Sequence, residues 1–375
     1  MNYALQSLWH DRSRYAPGVF AVAFSAVLIV LQCGLLLGLF SITSIPIDHT
    51  RADIWIGSPK VPSVDLGRPI PLTFMSRALN DPRVEKAEAY YENFATWTNP
   101  NGGSDLCIVI GSDLNDNNLG SVRELTPEMR VALTQPGSVV VDESELERLD
   151  VKRIGDKAEI NRQKVQIVGL VKGLRSLAGP YVFCSRVTAA SLLRMAVPTD
   201  NITYYLLKCR NPAESADVVN RLRAEYPDDM SAFTSEEFSL HSRLHWLKKT
   251  KAGIAIGYAA ILGLLVGMVV TSQTLYAATV ASAREYAILL ALGIPRWRIY
   301  STVLLQSFWI GIIGLSFAYP VVYSLARLAE LGGVGVQLKD WLLGGAAGVT
   351  MFMAMFAGLL AFRSVRRIEP MSLLR

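Results

Sequence analysis

Charge is missing from four long stretches of the 375-residue chain: no Lys, Arg, Asp or Glu occurs from Tyr15 to Ile47, Ala252 to Ala283, Ile299 to Ala326 or Trp341 to Phe362. Four such runs exclude an ordinary soluble protein. Each can span a membrane, since roughly 20 apolar helical residues cross the ~30 Å hydrocarbon layer. No ionisable residue lies inside any of these runs, which excludes a proton- or ion-coupled carrier, because such carriers keep buried charges near the midplane. Histidine and cysteine are scarce, at four each. Cys33 lies in the first apolar run. Cys107, Cys184 and Cys209 are scattered without C-x-x-C spacing, so no disulfide framework is implied and a single Cys184–Cys209 bridge is the most they leave room for. No H-E-x-x-H or paired C-x-x-C offers a zinc site, and His241 with His245, at i,i+4, lacks a third ligand and reads as a solvated helix face. G-x-x-x-x-G-K-[ST] is absent, so the chain has no P-loop for ATP. No Ser, His and Asp constellation stands out either. The expectation is a chain with no catalytic residue, no metal and no cofactor of its own.

The formal charge of +5 does not point to nucleic acid, because the basic residues form no aromatic-studded patch. Many flank the apolar runs, where they set orientation. With the N-terminus inside, the inner side holds Arg12, Arg14, Arg284, Arg296, Arg298, Arg363, Arg366, Arg367 and Arg375. The short outer loop holds only Arg327 and Lys339. Lys248, Lys249 and Lys251 oppose this, but they belong to a long domain, and long domains translocate largely regardless of charge. Both termini are therefore expected inside and the large domain outside. The first apolar run exceeds a signal-peptide core and no A-x-A site follows it, so it is expected to stay as an anchor.

The expected layout is an α-helical membrane protein with four transmembrane helices, arranged 1+3, and a large α+β extracytoplasmic domain between the first and second. An amphipathic helix over 1–16 carries Leu5, Leu8, Trp9 and Arg12 at helical spacing and suits the membrane surface. The spans fall at 17–44, 248–283, 299–326 and 341–362. The outer domain covers 45–247, an inner loop 284–298, an outer loop 327–340 and an inner tail 363–375. Alternating runs predict strands at Ala52–Ile56, Val84–Tyr91, Leu106–Ile110, Ser138–Val141, Lys164–Val171, Tyr181–Cys184 and Tyr204–Lys208. Helices are predicted at Pro71–Leu79, Pro127–Leu133, Glu143–Leu149, Thr188–Arg194 and Pro212–Tyr226. Turns at Asn101-Gly102-Gly103 and Asp116-Asn117-Asn118 divide the strand-rich part, and two lobes are expected there. The helical pattern from Ser235 to Lys249 runs on into Ala252, which predicts one rigid lever shared by domain and membrane.

Glycines recur four apart in the spans: Gly34 and Gly38, Gly253 and Gly257, Gly263 and Gly267, Gly344 and Gly348. Such faces let helices approach closely, within one chain or between two. The most distinctive stretch is the inner loop, whose apolar middle between charged ends suits a partner's groove. Its sequence is Arg284-Glu285-Tyr286-Ala287-Ile288-Leu289-Leu290-Ala291-Leu292-Gly293-Ile294-Pro295-Arg296-Trp297-Arg298. It reads as a short helix ended by Gly293 and a second opened by Pro295. Leu289 and Leu292 are expected on one docking face.

This loop resembles the FtsX-like permease signature R-x-x-E-I-x-x-L-x-A-L-G-x-x-x-x-x-I, with Arg284, Ala291, Leu292, Gly293 and Ile299 in fitting places; Glu285 sits too early for the acidic position. The ending Arg366-Arg367-Ile368-Glu369-Pro370-Met371-Ser372-Leu373-Leu374-Arg375 is similar to that family's basic pair and I-x-P-x-x-x-L-R. One span, a large outer domain and three spans are also the family's minimal plan. Within it, Ala52-Asp53-Ile54-Trp55-Ile56 looks like the start of the outer domain in the MacB and DevC branch of ABC exporter permeases. The likeness is closer to DevC, whose ATPase is a separate subunit. It implies a bacterial inner-membrane subunit, dimeric, with ATP and Mg bound by the partner ATPase. It also implies a periplasmic adaptor and an outer-membrane channel as further partners. The ATPase-coupling residues implied are Arg284, Glu285, Ile288, Leu289, Leu292, Gly293, Pro295 and Arg296. An FtsX-like regulator of a cell-wall hydrolase and a lipoprotein-release permease are the alternatives of similar plan.

Overall fold

The computed structural model describes residues 12–176, 178–282, 285, 288–289, 292–331 and 335–365. Residues 1–11 of the expected amphipathic helix, Arg284 of the coupling set and the tail from Arg366 lie outside them. The chain divides into a membrane unit, Met1–Gly38 with Lys251–Arg375, and an extramembrane unit, Leu39–Thr250.

Helix α1 (Arg12–Ile42) carries the first apolar run and accepts Pro17 in its second turn. One further helical turn, α2 (Ile45–Asp48), leads into the extramembrane unit. There the strands are β1 (Ile54–Gly57), β2 (Ile70–Pro71), β3 (Val84–Thr98), β4 (Ser104–Ser112), β5 (Ser138–Asp142) and β6 (Lys157–Ile160). They continue as β7 (Gln163–Val171), β8 (Tyr181–Ser185), β9 (Asn201–Ile202), β10 (Tyr204–Cys209) and β11 (Ser231–Thr234). Between them lie α3 (Phe74–Leu79), α4 (Pro127–Ala132), α5 (Arg186–Leu192) and α6 (Ser215–Glu225), and α7 (Ser235–Lys249) closes the unit. Thr126, Ser185 and Thr234 cap three of these helices, each side chain accepting a backbone N–H of the first turn.

Nine strands form one sheet in the order β11-β1-β10-β3-β4-β8-β5-β7-β6. The fifteen-residue β3 organises it. Its first half, up to Tyr90, pairs antiparallel with β10, and its second half, Tyr91 to Thr98, pairs with β4. Trp97 and Thr98 also meet Ile160 and Glu159 of β6, so six strands from β3 to β6 close into a ring. The two-lobe expectation is corrected here. Asn101–Gly103 is only the β3–β4 hairpin tip, where Gly102 supplies φ +86°, and β3 runs unbroken through both halves.

Alternation along β3 sorts the core. Ala89, Tyr91, Ala95 and Trp97 join the apolar layer that α3, α5 and α6 cover, whereas Tyr90 and Phe94 face an aromatic layer with Trp55, Tyr204 and Phe238. In that second layer Trp55 meets Tyr90 edge-on at 5.1 Å between ring centroids, and Phe238 of α7 stacks on Phe233 at 5.0 Å. All four cysteines are free thiols, so the Cys184–Cys209 bridge does not form. The predicted helix at Glu143–Leu149 shrinks to a single 3-10 turn, Glu143–Glu145, capped by Asp142, whose carboxylate accepts both the amide and the hydroxyl of Ser144.

The buried Asp81 carboxylate is held by two arginines, Arg83 Nη2 and Arg221 Nε, each at 2.8 Å. Its hydrogen bonds to Arg83, followed by the charge of Arg221, bring its pKa down to about 2. A carboxylate whose pKa falls on folding adds stability above its unfolded value near 3.8, and that stability is lost as the pH drops through the folded value. Acid titration of unfolding should therefore steepen between these two pH values. Asp81→Asn should remove that part of the slope and cost about 2 kcal/mol at neutral pH.

The membrane unit continues with α8 (Lys251–Ala281), α9 (Arg296–Leu331) and α10 (Asp340–Val365). With α1 these are four helices long and apolar enough to cross a membrane. The lever is not continuous: between α7 and α8, Thr250 adopts φ −94°, ψ 144°. Its hydroxyl donates to the Trp246 carbonyl, taking an acceptor the helix would otherwise offer to the next turn. This corrects the expectation of one rigid helix. The periodic pattern continued on both sides and concealed the break.

Candidate coupling site

Three local structures bear on the expected coupling residues and on the linkers between spans and domain. The first is the inner turn. Gly293 has φ +85°, and the Ile294 N–H donates to the Leu289 carbonyl at 3.0–3.1 Å alongside Leu292 N–H to Ile288 O. A six-to-one bond across a left-handed glycine is a Schellman ending, and it fixes where the helix stops. Arg298 N–H then donates to the Pro295 carbonyl, and Arg296 opens α9. The exposed apolar pair is Ile288 with Leu292, the latter 74% exposed, whereas Leu289 is half-buried. Of the expected pair, Leu292 is thus exposed, whereas Leu289 sits one position round the helix and lends its carbonyl to the turn. Glu285 and Pro295 are exposed.

The second structure is the root of the extramembrane unit. Arg243 on α7 donates through Nε to Ser44 Oγ at 2.8 Å and through Nη2 to Asp48 Oδ2 at 2.5 Å. Ser44 Oγ also donates to the same Asp48 oxygen at 2.7 Å. One guanidinium thereby joins the segment that leaves the first span to the helix that leads toward the second. No sequence signal marks this pair, which is 195 residues apart.

The third is the seam among the spans. The Ser25 hydroxyl lies 3.0 Å from both the Gly267 carbonyl and Thr271 Oγ1, joining α1 to α8. Gly263 faces the Gln32 side chain on the same seam. Gly253 is buried and Gly257 half-buried on α8. The atoms nearest Gly34 and Gly38 belong to no helix among the described residues. The two glycines receive the extended stretch before α10: the Gln337 N–H donates to the Gly34 carbonyl at 3.1 Å. A Cβ on Gly38 would lie 2.0 Å from the Gly335 carbonyl oxygen. Gly38→Val should therefore force the two backbones apart at a cost of about 1–3 kcal/mol. The check is the thermal midpoint of the purified protein, with Gly344→Val as control, since nothing lies within 4 Å of that Cβ position.

Residues 19–225 match the family described as MacB-like periplasmic core domain, and residues 257–370 match FtsX-like permease C-terminal. Among solved structures the chain is similar to the periplasmic region of MacB from Actinobacillus actinomycetemcomitans, at 11% identity and TM-score 0.33, over 51% of this chain and 92% of that one. It is also similar to the extracellular domain of the noncanonic ABC-type transporter YknZ from Gram-positive bacteria, at 9% identity and TM-score 0.32, over 49% and 100%. A domain of a putative permease protein from Porphyromonas gingivalis matches at 12% identity and TM-score 0.32, over 56% and 97%. No curated protein matches the chain.

Proposed function

Since the chain belongs to the FtsX-like, MacB-type permease family of ABC transporters, we propose that it is the membrane subunit of an exporter, passing ATP-driven motion from a separate ATPase to its periplasmic domain. The observation that carries this reading is the inner turn, an exposed Ile288 and Leu292 pair presented at a fixed angle by Gly293. Such a rigid apolar knob fits a groove on a nucleotide-binding partner. The clasp of Arg243 on Asp48 and Ser44 supports the far end of the pathway, because it makes two linkers act as one support. The spans support it too. Their seams are filled by Ser25, Thr271 and small residues. They work as levers, and the substrate enters from the periplasm.

On this reading ATP and Mg are bound by the partner, two copies of this chain form the membrane part, and the periplasmic domains engage an adaptor and an outer-membrane channel. The chain sits in the inner membrane with both termini cytoplasmic. Two measurements test it. A cysteine placed at Asn117 should be labelled by an impermeant reagent from the periplasmic side, and one at Ser364 only from the cytoplasm; the reverse pattern ends the export reading. The purified chain should hydrolyse no ATP until the ATPase subunit is added. Copurification with an adaptor keeps the exporter, whereas copurification with a hydrolase replaces it by the regulator.

A further inference from the structure

We propose that Asp65 and Glu92 form a buried proton-binding site that clamps α7 to the extramembrane sheet and loosens as the pH rises. Glu92 is 1% exposed and Asp65 5%. Glu92 shares the aromatic face of β3 with Tyr90, two residues away and itself fully buried. Asp65 lies in the single 3-10 turn Val64–Leu66, which α7 covers: the Val64 N–H donates to Ser242 Oγ at 3.1 Å, and the Trp246 indole donates to Ser63 Oγ at 3.2 Å. The Tyr204 hydroxyl of β10 pins the same turn from below, donating to the Val64 carbonyl at 2.6 Å.

The two carboxyls differ in their donors. Asp65 Oδ1 accepts from the Tyr181 hydroxyl at 3.3 Å. It also has the Trp246 indole close enough to favour its charge. Neither Glu92 oxygen has a donor, and the hydroxyl of Tyr90, two residues away on the same face, is also without a partner. The titratable groups facing the pair are the hydroxyls of Tyr90 on β3, Tyr181 on β8 and Tyr204 on β10. Among the described residues no Lys or Arg pairs with either acid. Two ionised carboxylates cannot share so dry a space. Above the titration of Asp65 one proton therefore stays, on Glu92, which donates it to the ionised Asp65. Burial and the neighbouring carboxylate push Glu92 well above the usual carboxylate range, and burial pushes Asp65 up to about 6.

The sign follows from linkage. An acid that gains proton affinity on folding stabilises the fold below its unfolded pKa, and that stability falls as the pH rises, until the folded value is passed. Above about pH 6, where Asp65 has ionised and Glu92 alone keeps its proton, opening of α7 should thus become about tenfold easier per pH unit. The test uses the full chain in lipid nanodiscs. Infrared difference spectra at neutral pH should show a protonated-carboxyl band that Glu92→Gln removes. Hydrogen exchange of the 235–249 peptide, corrected for intrinsic chemistry, should accelerate about tenfold per unit between about pH 6.5 and 8, above the titration of Asp65, in the wild type and stay nearly flat there in Glu92→Gln. Should that variant fail to fold, Asp65→Asn must still show the band, because burial alone holds the proton on Glu92. Absence of the band from wild type and Asp65→Asn, or equal pH response in wild type and Glu92→Gln, overturns the proposal.

Discussion

Leu292→Asp should abolish recovery of the partner ATPase in a pull-down while leaving membrane insertion and the yield of the chain unchanged. Leu292 is mostly exposed and Ile288 lies one helical turn before it, so burying both in a partner groove contributes about 3–6 kcal/mol before the cost of ordering. A carboxylate at that position must be desolvated on docking, which reverses the gain. Gly293→Val should act equally strongly by another route. With φ at +85°, a β-branched residue cannot keep the turn, and nothing lies within 4 Å of its Cβ, so the effect is conformational and not a clash. Leu289→Ala serves as the comparison, with a smaller loss. Wild-type recovery by both Leu292→Asp and Gly293→Val, at matched expression, would show that the ATPase docks elsewhere.

Arg243→Glu should give the converse phenotype, normal ATPase recruitment with transport lost. The guanidinium donates to two acceptors that themselves are hydrogen-bonded, and replacing it places two carboxylates where one cation stood. The side chains of Arg243 and Asp48 are each about one-third exposed, so the stability change stays near 1 kcal/mol. Function should respond far more than stability, because the clasp joins two linkers. Pairing Arg243→Glu with Asp48→Arg should restore transport in part; failure of that swap together with an intact single variant would remove the clasp from the pathway.

The spans were legible because lipid imposes length and freedom from charge on a single helix, a condition one sequence can display. Seven strands were legible from alternation, with ends within a few residues except in β3. There the alternation fails: Glu88 and Glu92 occupy core-facing positions on the same side as Tyr90, so a composition rule ends the strand at Tyr91 while the backbone continues to Thr98. Glu92 was the available signal for the buried acid site, since a carboxylate at the parity of a core tyrosine needs a partner, and Glu88 finds its own in Lys86. Strand β6 escaped because Lys157 and Glu159 flank only two buried residues. The glycine that ends the inner helix was readable from its type and place. The exposed face was not, since which of Ile288, Leu289 and Leu292 turns outward depends on how the helix is seated. Arg243 with Asp48 is a tertiary pairing that no local pattern encodes.

Thr250 gives the chain a property that a continuous rod would lack. A helix transmits bending and twisting along its axis, but one extended residue between two helices leaves two soft dihedrals where α7 meets α8. Such a joint conveys a pull along the chain and lets torque dissipate. Arg243, on the α7 side of that joint, is tied to Asp48 of the segment that follows α1, so a turn about the Thr250 dihedrals leaves this tie intact.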